Sequence, residues 1–246
     1  MPTTPLSLLT PHGVMDGQVA RPTGPGPWPA VILFMDAMGV RAELVGMAER
    51  LASSGYAVVL PNLYYRHGPL PQVDTSSFAN PGPERERVMA LMRSLTHAGV
   101  MSDTKAVLEF IDRQPDVARG VIGVVGYCMG GGFALSAAGT YPDRVGVAAS
   151  FHGAALATDR PDSPHLLAPR MRAVLYVGVA GIDPMFSTEE YQRLEAALAD
   201  AGCRFTIETY EGVRHGFSVT GHPVYDEAAS ERHWRTLVAL FGRELA

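Results

Sequence analysis

Val121-Ile122-Gly123-Val124-Val125-Gly126-Tyr127-Cys128-Met129-Gly130-Gly131-Gly132 is the stretch that decides the fold. Its first half is apolar and rich in β-branched residues, with no polar alternation, as in a strand covered on both faces of a parallel sheet. Its second half is glycine-rich and runs into the apolar segment Phe133 to Gly139, which reads as a helix. Strand, tight turn and helix in immediate succession form the setting of G-x-S-x-G, with cysteine here in the serine position. Sterics explain the glycines. The apex residue has strained dihedrals, and side chains two positions to either side would strike the adjoining strand or helix. A sulfur at that apex projects from the sheet at a helix N-terminus, whose dipole favours a thiolate. The competing reading is a cysteine that merely packs in a glycine-rich turn. A dinucleotide-binding turn fits poorly, because the pattern is not G-x-G-x-x-G and no acidic residue stands suitably at the next strand end.

Outward from this turn, short apolar runs recur with helical segments between them. Val31 to Asp36, Tyr56 to Pro61, Arg144 to Phe151, Arg172 to Val179 and Arg204 to Tyr210 read as further strands. Leu6 to Ala20 supplies one or two more, expected to be antiparallel and at an edge. Amphipathic stretches at Ala42 to Ser54, Glu84 to His97, Ser102 to Arg113, Thr188 to Ala201 and Asp226 to Phe241 read as helices, as does Met129 to Gly139. Ser102 and Ser187 or Thr188 are read as N-caps, and Gly202 as a stop. The alternation implies βαβ crossovers, hence an α/β fold with a mostly parallel central sheet and helices on both faces. No repeat, low-complexity tract or linker interrupts residues 1–246, so one domain is expected. Thr23 to Pro29 is a proline-rich turn into the first central strand. Tyr64 to Pro83 is the least regular part, and long loops in such folds often border the active site.

A thiol or hydroxyl nucleophile needs an imidazole, and the imidazole needs a carboxylate to hold its tautomer. In α/β-hydrolases these follow in the order nucleophile, acid, histidine, each on a loop after a strand. Asp183, in Gly181-Ile182-Asp183-Pro184, and His215, in Arg214-His215-Gly216-Phe217, meet both conditions. Both lie at carboxyl ends of strands, where open α/β sheets place their sites. His152 also follows a strand but precedes any candidate acid. His12, His67, His165 and His222 are read as solvated loop residues, and His97 and His233 as surface or packing residues on helices. Taken alone, Asp183 could equally be a turn-capping aspartate. Charge on a tetrahedral intermediate needs backbone donors; the amide of Met129 is one and that of Ala37 the simplest second.

Composition narrows the partners. The formal net charge of −5 argues against a general nucleic-acid binder, and lysine is almost absent. Two cysteines, Cys128 and Cys203, are too few for a disulfide framework. No charged n-region precedes a long apolar core at the start, and the longest apolar runs fall well short of the roughly 20 residues that span a bilayer. A cytoplasmic protein is expected, working on a small molecule as monomer or homodimer, without membrane or nucleic-acid partners.

Along nearly its whole length the chain resembles the dienelactone hydrolases, or carboxymethylenebutenolidases. The likeness rests on VILFMDAMGV (31–40), GYAVVLPNLYYR (55–66), GYCMGGG (126–132), GIDP (181–184) and RHGF (214–217). It implies an α/β-hydrolase fold, a Cys128, Asp183 and His215 triad, and hydrolysis of an ester or lactone through an acyl-enzyme, with no metal or organic cofactor. The resemblance also gives Asp36 a role, since in the family a glutamate after that strand holds and deprotonates the cysteine; aspartate is one methylene shorter. The family's substrate carboxylate is held by two arginines. Arg85 matches one, with Arg87 as the alternative register, and Val219 stands where the other is expected. That difference implies a less anionic substrate. Two further readings stay open: a phosphoester or thioester hydrolase using the same nucleophile, and a non-catalytic binding protein.

Overall fold

The structure is a computed structural model that describes residues 3–68, 73 and 81–245. Eight strands form one sheet in the order β1-β2-β4-β3-β5-β6-β7-β8. The strands are β1 (Thr4–Thr10), β2 (Gly13–Ala20), β3 (Ala30–Phe34), β4 (Ala57–Pro61), β5 (Ile122–Tyr127), β6 (Val145–Phe151), β7 (Val174–Ile182) and β8 (Arg204–Arg214). β1 and β2 form the expected antiparallel edge, β2 joins β4 antiparallel as well, and the pairings among β3 to β8 are parallel. Helices cover both faces: α1 (Ala42–Ser53), α2 (Pro83–Ser94), α3 (His97–Asp112), α4 (Met129–Thr140), α5 (Thr188–Asp200) and α6 (Glu227–Glu244).

The central strands are apolar at every position because both faces are covered. All five residues of β3 and of β4, and all six of β5, are buried. The edges differ: β1 alternates buried with exposed positions, as a strand with one wet face does, and β8 is mostly exposed or half-buried, with only Tyr210 and Val213 buried. Helix α4 is buried through Met129 to Gly139, which explains its run of glycine and alanine: small residues let it lie close against β5 and β6.

Three local expectations are corrected. The stretch read as Glu84 to His97 ends at Ser94, because Leu95 and Thr96 are extended; α3 then starts at His97, five residues before the expected Ser102. Its N-cap is Thr96, whose hydroxyl accepts from the Gly99 amide at 3.0 Å, leaving Ser102 inside the helix. His165 is buried in a 3-10 turn (Pro164–Arg170), bonded to Ser163, and is not a solvated loop residue. By contrast Ser187 caps α5 as read, accepting from the Glu190 amide. Part of the Tyr64 to Pro83 loop lies outside the described residues.

Strands β7 and β8 run further than their apolar content indicates. β7 reaches Ile182 and β8 reaches Arg214, with a register irregularity between Ala180 and Ile182. Ile182 then pairs with Arg214, so the residues that follow each strand end, Asp183 and His215, leave the sheet side by side.

Candidate active site

The carboxyl ends of the parallel strands deliver Asp36 after β3, Tyr64 after β4, Cys128 after β5, His152 after β6, Asp183 after β7 and His215 after β8. Cys128 sits at the apex with φ 55° and ψ −123°, a left-handed conformation that costs a non-glycine residue of order 1–3 kcal/mol. Close approach holds it there. A Cβ on Gly126 would lie 1.9 Å from the Gly130 carbonyl oxygen, and one on Gly130 would lie 2.5 Å from that of Phe34. The turn's own polar groups are paired: the Cys128 amide donates to Phe151 O, and the amides of Gly131 and Ala154 donate to Cys128 O. The Met129 amide, at the first helical position, has no partner within the helix.

His215 Nδ1 is 2.8 Å from Asp183 Oδ2. The second oxygen, Asp183 Oδ1, accepts from the Met185 amide at 2.8 Å, which fixes the carboxylate plane. Since a carboxylate only accepts, Nδ1 carries the proton and Nε2 is left for other work. Nε2 is buried and makes no hydrogen bond of ordinary geometry. Cys128 and His215 line the same chamber, so the sulfur acts on the ring as a nearby charge. Burial lowers the proton affinity of His215; Cys128 and then Asp183 outweigh it and raise the pKa to about 10.

Asp36 is buried and occupied. Arg41 grips it in bidentate fashion, Nη1 to Oδ1 at 2.6 Å and Nη2 to Oδ2 at 2.8 Å, and the Met38 amide donates to Oδ1 at 3.0 Å. Nothing in the sequence reading pointed to Arg41.

Two further histidines adjoin the site. His152, read as wrongly ordered for a base, is fully buried with its ring centroid 5.1 Å from that of His215. Its Nε2 is bonded to Ser218 Oγ at 2.8 Å, and burial drives its pKa well below the ordinary value, so it is neutral. His222, also read as solvated, is half-buried against Gly216 and lines the same chamber. The signal for His152 was present, a histidine ending a central strand, but chain order excluded it as a base.

Cys128, His215, Asp36, Ala37 and Val219 share a chamber of about 50 Å³ whose remaining walls include Met38, Met89, Met92 and Met185. It abuts an outer cavity of about 520 Å³, and Met89, Met92 and Met185 line both. Arg85 lies elsewhere, exposed in a neighbouring groove with Glu86 and Arg93, and Arg87 is paired with Glu84 at 2.7 Å. Among the described residues, no three His, Cys, Asp or Glu side chains are grouped to hold a metal ion, and no helix is long and apolar enough to cross a membrane.

The model of the dienelactone hydrolase family matches residues 15–245. The chain belongs to the dienelactone hydrolase family. It is a carboxymethylenebutenolidase-like hydrolase. The carboxymethylenebutenolidase of Pseudomonas putida is 28% identical over 233 residues, covering 94% of this chain and 92% of the relative. A dienelactone hydrolase-like promiscuous phosphotriesterase from metagenomic libraries superposes with a TM-score of 0.80 at 21% identity, covering 100% of each chain. The dienelactone hydrolase of Anabaena variabilis superposes with a TM-score of 0.70 at 18% identity, covering 100% of this chain and 99% of that one. At such identities the structural likenesses establish the α/β-hydrolase fold. Within this family frame Val219, which is 1% exposed, puts an apolar wall where the resemblance expects an arginine.

Proposed function

We propose that this chain, acting as a single domain, hydrolyses uncharged carboxylic esters or lactones through an acyl-cysteine intermediate. Cys128 is the nucleophile, His215 its proton partner, and Asp183 holds the His215 tautomer. The Cys128 thiolate attacks the carbonyl carbon, and the amides of Met129 and Ala37 donate to the oxygen as it becomes negative. When the carbon–oxygen bond to the leaving group breaks, the His215 imidazolium protonates the departing alkoxide from Nε2. Neutral His215 then takes a proton from water as that water attacks the thioester. Collapse of the second tetrahedral intermediate releases the acid and restores the thiolate and imidazolium.

The observation that carries this reading is the His215 environment: Nδ1 bound to a carboxylate, Nε2 unpartnered, and Cys128 raising its proton affinity. That is the arrangement of an imidazolium beside a thiolate. Substrate class follows from the walls. The methionines and Val219 give the inner chamber a wall with no arginine or lysine to hold a carboxylate, Arg85 does not line it, and Arg93 and Arg160 line the outer cavity instead. A compact acyl portion fits the chamber, with a bulkier leaving portion in the outer cavity past Met89, Met92 and Met185.

The test is a steady-state screen of p-nitrophenyl acetate, neutral lactones and an anionic dienelactone, with Cys128→Ala and Cys128→Ser beside the parent. Turnover of neutral esters with a burst, lost in Cys128→Ala and nearly lost in Cys128→Ser, supports the reading. Equal rates for Cys128→Ala and the parent would end it. An aryl phosphotriester belongs in the screen because one fold relative is described as a promiscuous phosphotriesterase.

A further inference from the structure

We propose that Asp36, Arg41 and Tyr64 form a brace that fixes the loop presenting the Ala37 amide, so that Asp36 serves the oxyanion and not the thiol. This rests on the ester-hydrolase reading above and assigns a positioning role to three residues within it. The loop from Asp36 to Arg41 joins β3 to α1, and its polar groups are pinned in turn. The peptide between Ala37 and Met38 is held at both ends. Its carbonyl oxygen accepts from Tyr64 Oη at 2.9 Å, and its amide donates to Asp36 Oδ1 at 3.0 Å. One residue on, the Gly39 amide donates to the Asp36 carbonyl at 3.1 Å, and the Gly39 carbonyl accepts from Arg41 Nη1 at 3.2 Å. Arg41, itself the N-cap of α1, closes the loop with its bidentate grip on the Asp36 carboxylate. Tyr64 Oη also lies 3.6 Å from Met129 Sδ, so one phenol touches both residues whose amides are assigned to the oxyanion.

The carboxylate has little capacity left for a thiol. Of its roughly four acceptor sites, three take donors from Met38 and Arg41. Turning toward Cys128 would give up the charge-assisted pair and leave the buried Arg41 with only the partly exposed Glu43 as a carboxylate partner, 3.4 Å from its Nε. The shorter aspartate and the nearby arginine therefore work together: the carboxylate is drawn back into the loop. Tyr64 remains a donor at all working pH, since burial, with smaller contributions from Asp36 and Cys128, raises its pKa above the usual phenol value.

Alkylation and hydrolysis separate this brace from thiol activation. Iodoacetamide needs only the thiolate, whereas ester hydrolysis also needs a stabilised oxyanion. For Tyr64→Phe the brace predicts a kcat on p-nitrophenyl acetate lowered by on the order of tenfold, below the 10²–10³ lost with an oxyanion donor itself. KM, the Cys128 alkylation rate and its pH profile stay at parental values. The double variant Asp36→Asn/Arg41→Gln, which leaves no buried charge unpaired, should likewise alkylate with the parental rate and profile. A parental kcat in Tyr64→Phe overturns the brace. So does alkylation in the double variant that slows in step with hydrolysis, since that shows Asp36 acting on the thiol. Cys128→Ala is measured alongside. If it retains turnover, the nucleophile assignment fails and the brace has no oxyanion to serve; if it is silent, a failure in Tyr64→Phe belongs to the brace alone.

Discussion

Replacing Arg41 with methionine removes one half of an ion pair whose side chains are each 4% exposed. Methionine is similar in length and apolar, so the loss is mainly electrostatic. It leaves the Asp36 carboxylate buried with only the Met38 amide as a donor among its present partners. Removing one partner of a buried pair typically costs about 3–5 kcal/mol, because the remaining charge keeps its desolvation penalty without its compensation. For a chain of this size each kcal/mol shifts the melting temperature by roughly 2–4 °C, so Arg41→Met should melt about 6–20 °C below the parent. Neutralising the stranded charge should recover most of this. Asp36→Asn/Arg41→Met keeps the amide acceptor and buries no charge, and should lie within about 1–2 kcal/mol of the parent, as pair replacements often do. Thermal melts by circular dichroism at neutral pH, with both single variants completing the cycle, give the coupling directly. A single variant that loses less than about 1 kcal/mol, or a double as unstable as the single, would mean that water reaches Asp36 and the pair is not buried in solution.

Three further outcomes follow from particular contacts. His215 is held above its ordinary value, so its contribution to stability is fully present below about pH 6.5 and disappears as pH rises through about 10. The melting temperature should therefore fall across that window. In Cys128→Ala, which removes the largest raising influence, the fall should shift to lower pH; superimposable profiles would contradict the coupling. Tyr127→Phe removes a hydroxyl bonded at 2.9 Å to His233 Nε2 in a fully buried pair, while His233 Nδ1 still donates to Ser230 O. One unsatisfied buried nitrogen should cost about 1–3 kcal/mol, read from the denaturant midpoint at constant m-value. Val219→Ala enlarges the chamber, so the preference for p-nitrophenyl acetate over the butyrate should relax by about tenfold, as one or two methylenes allow. An unchanged ratio of kcat/KM would place the acyl group outside the chamber.

What the sequence could say about this protein depended on whether the information was local. The turn at Cys128 is local: its glycines, the strand before it and the small-residue helix after it are forced by contacts within a few residues, and the backbone at φ 55° matches the reading. Asp183 and His215 were legible as residues after strands, yet the reason they meet was not. It lies in the irregularity between Ala180 and Ile182 that sets Ile182 opposite Arg214, a register in a parallel pair far apart in sequence. Strand ends were underestimated for the same reason, since Ala180 to Ile182 and Glu211 to Arg214 lack apolar runs and are extended by pairing rather than by composition. Helix α3 began early because a threonine with extended backbone at position 96 offered a better cap than Ser102.

Asp36 shows where resemblance and physics part. Its position in the chain matches a family carboxylate assigned to the cysteine, and a match of position carries no information about which neighbour wins the side chain. That contest is decided by donors. Arg41 presents two guanidinium nitrogens within 2.8 Å, and the Met38 amide lies at 3.0 Å, against a thiol, which is a weak donor when neutral and repels a carboxylate when ionised. With charge-assisted bonds roughly twice as strong as neutral ones, the arginine holds the carboxylate in every protonation state of Cys128. On the proposed ester-hydrolase reading, His215 is then the group that shares a proton with the sulfur. Under the proposed brace, the aspartate acts on the reaction through the backbone it pins, the stretch from Ala37 to Gly39, whose first amide is assigned to the oxyanion.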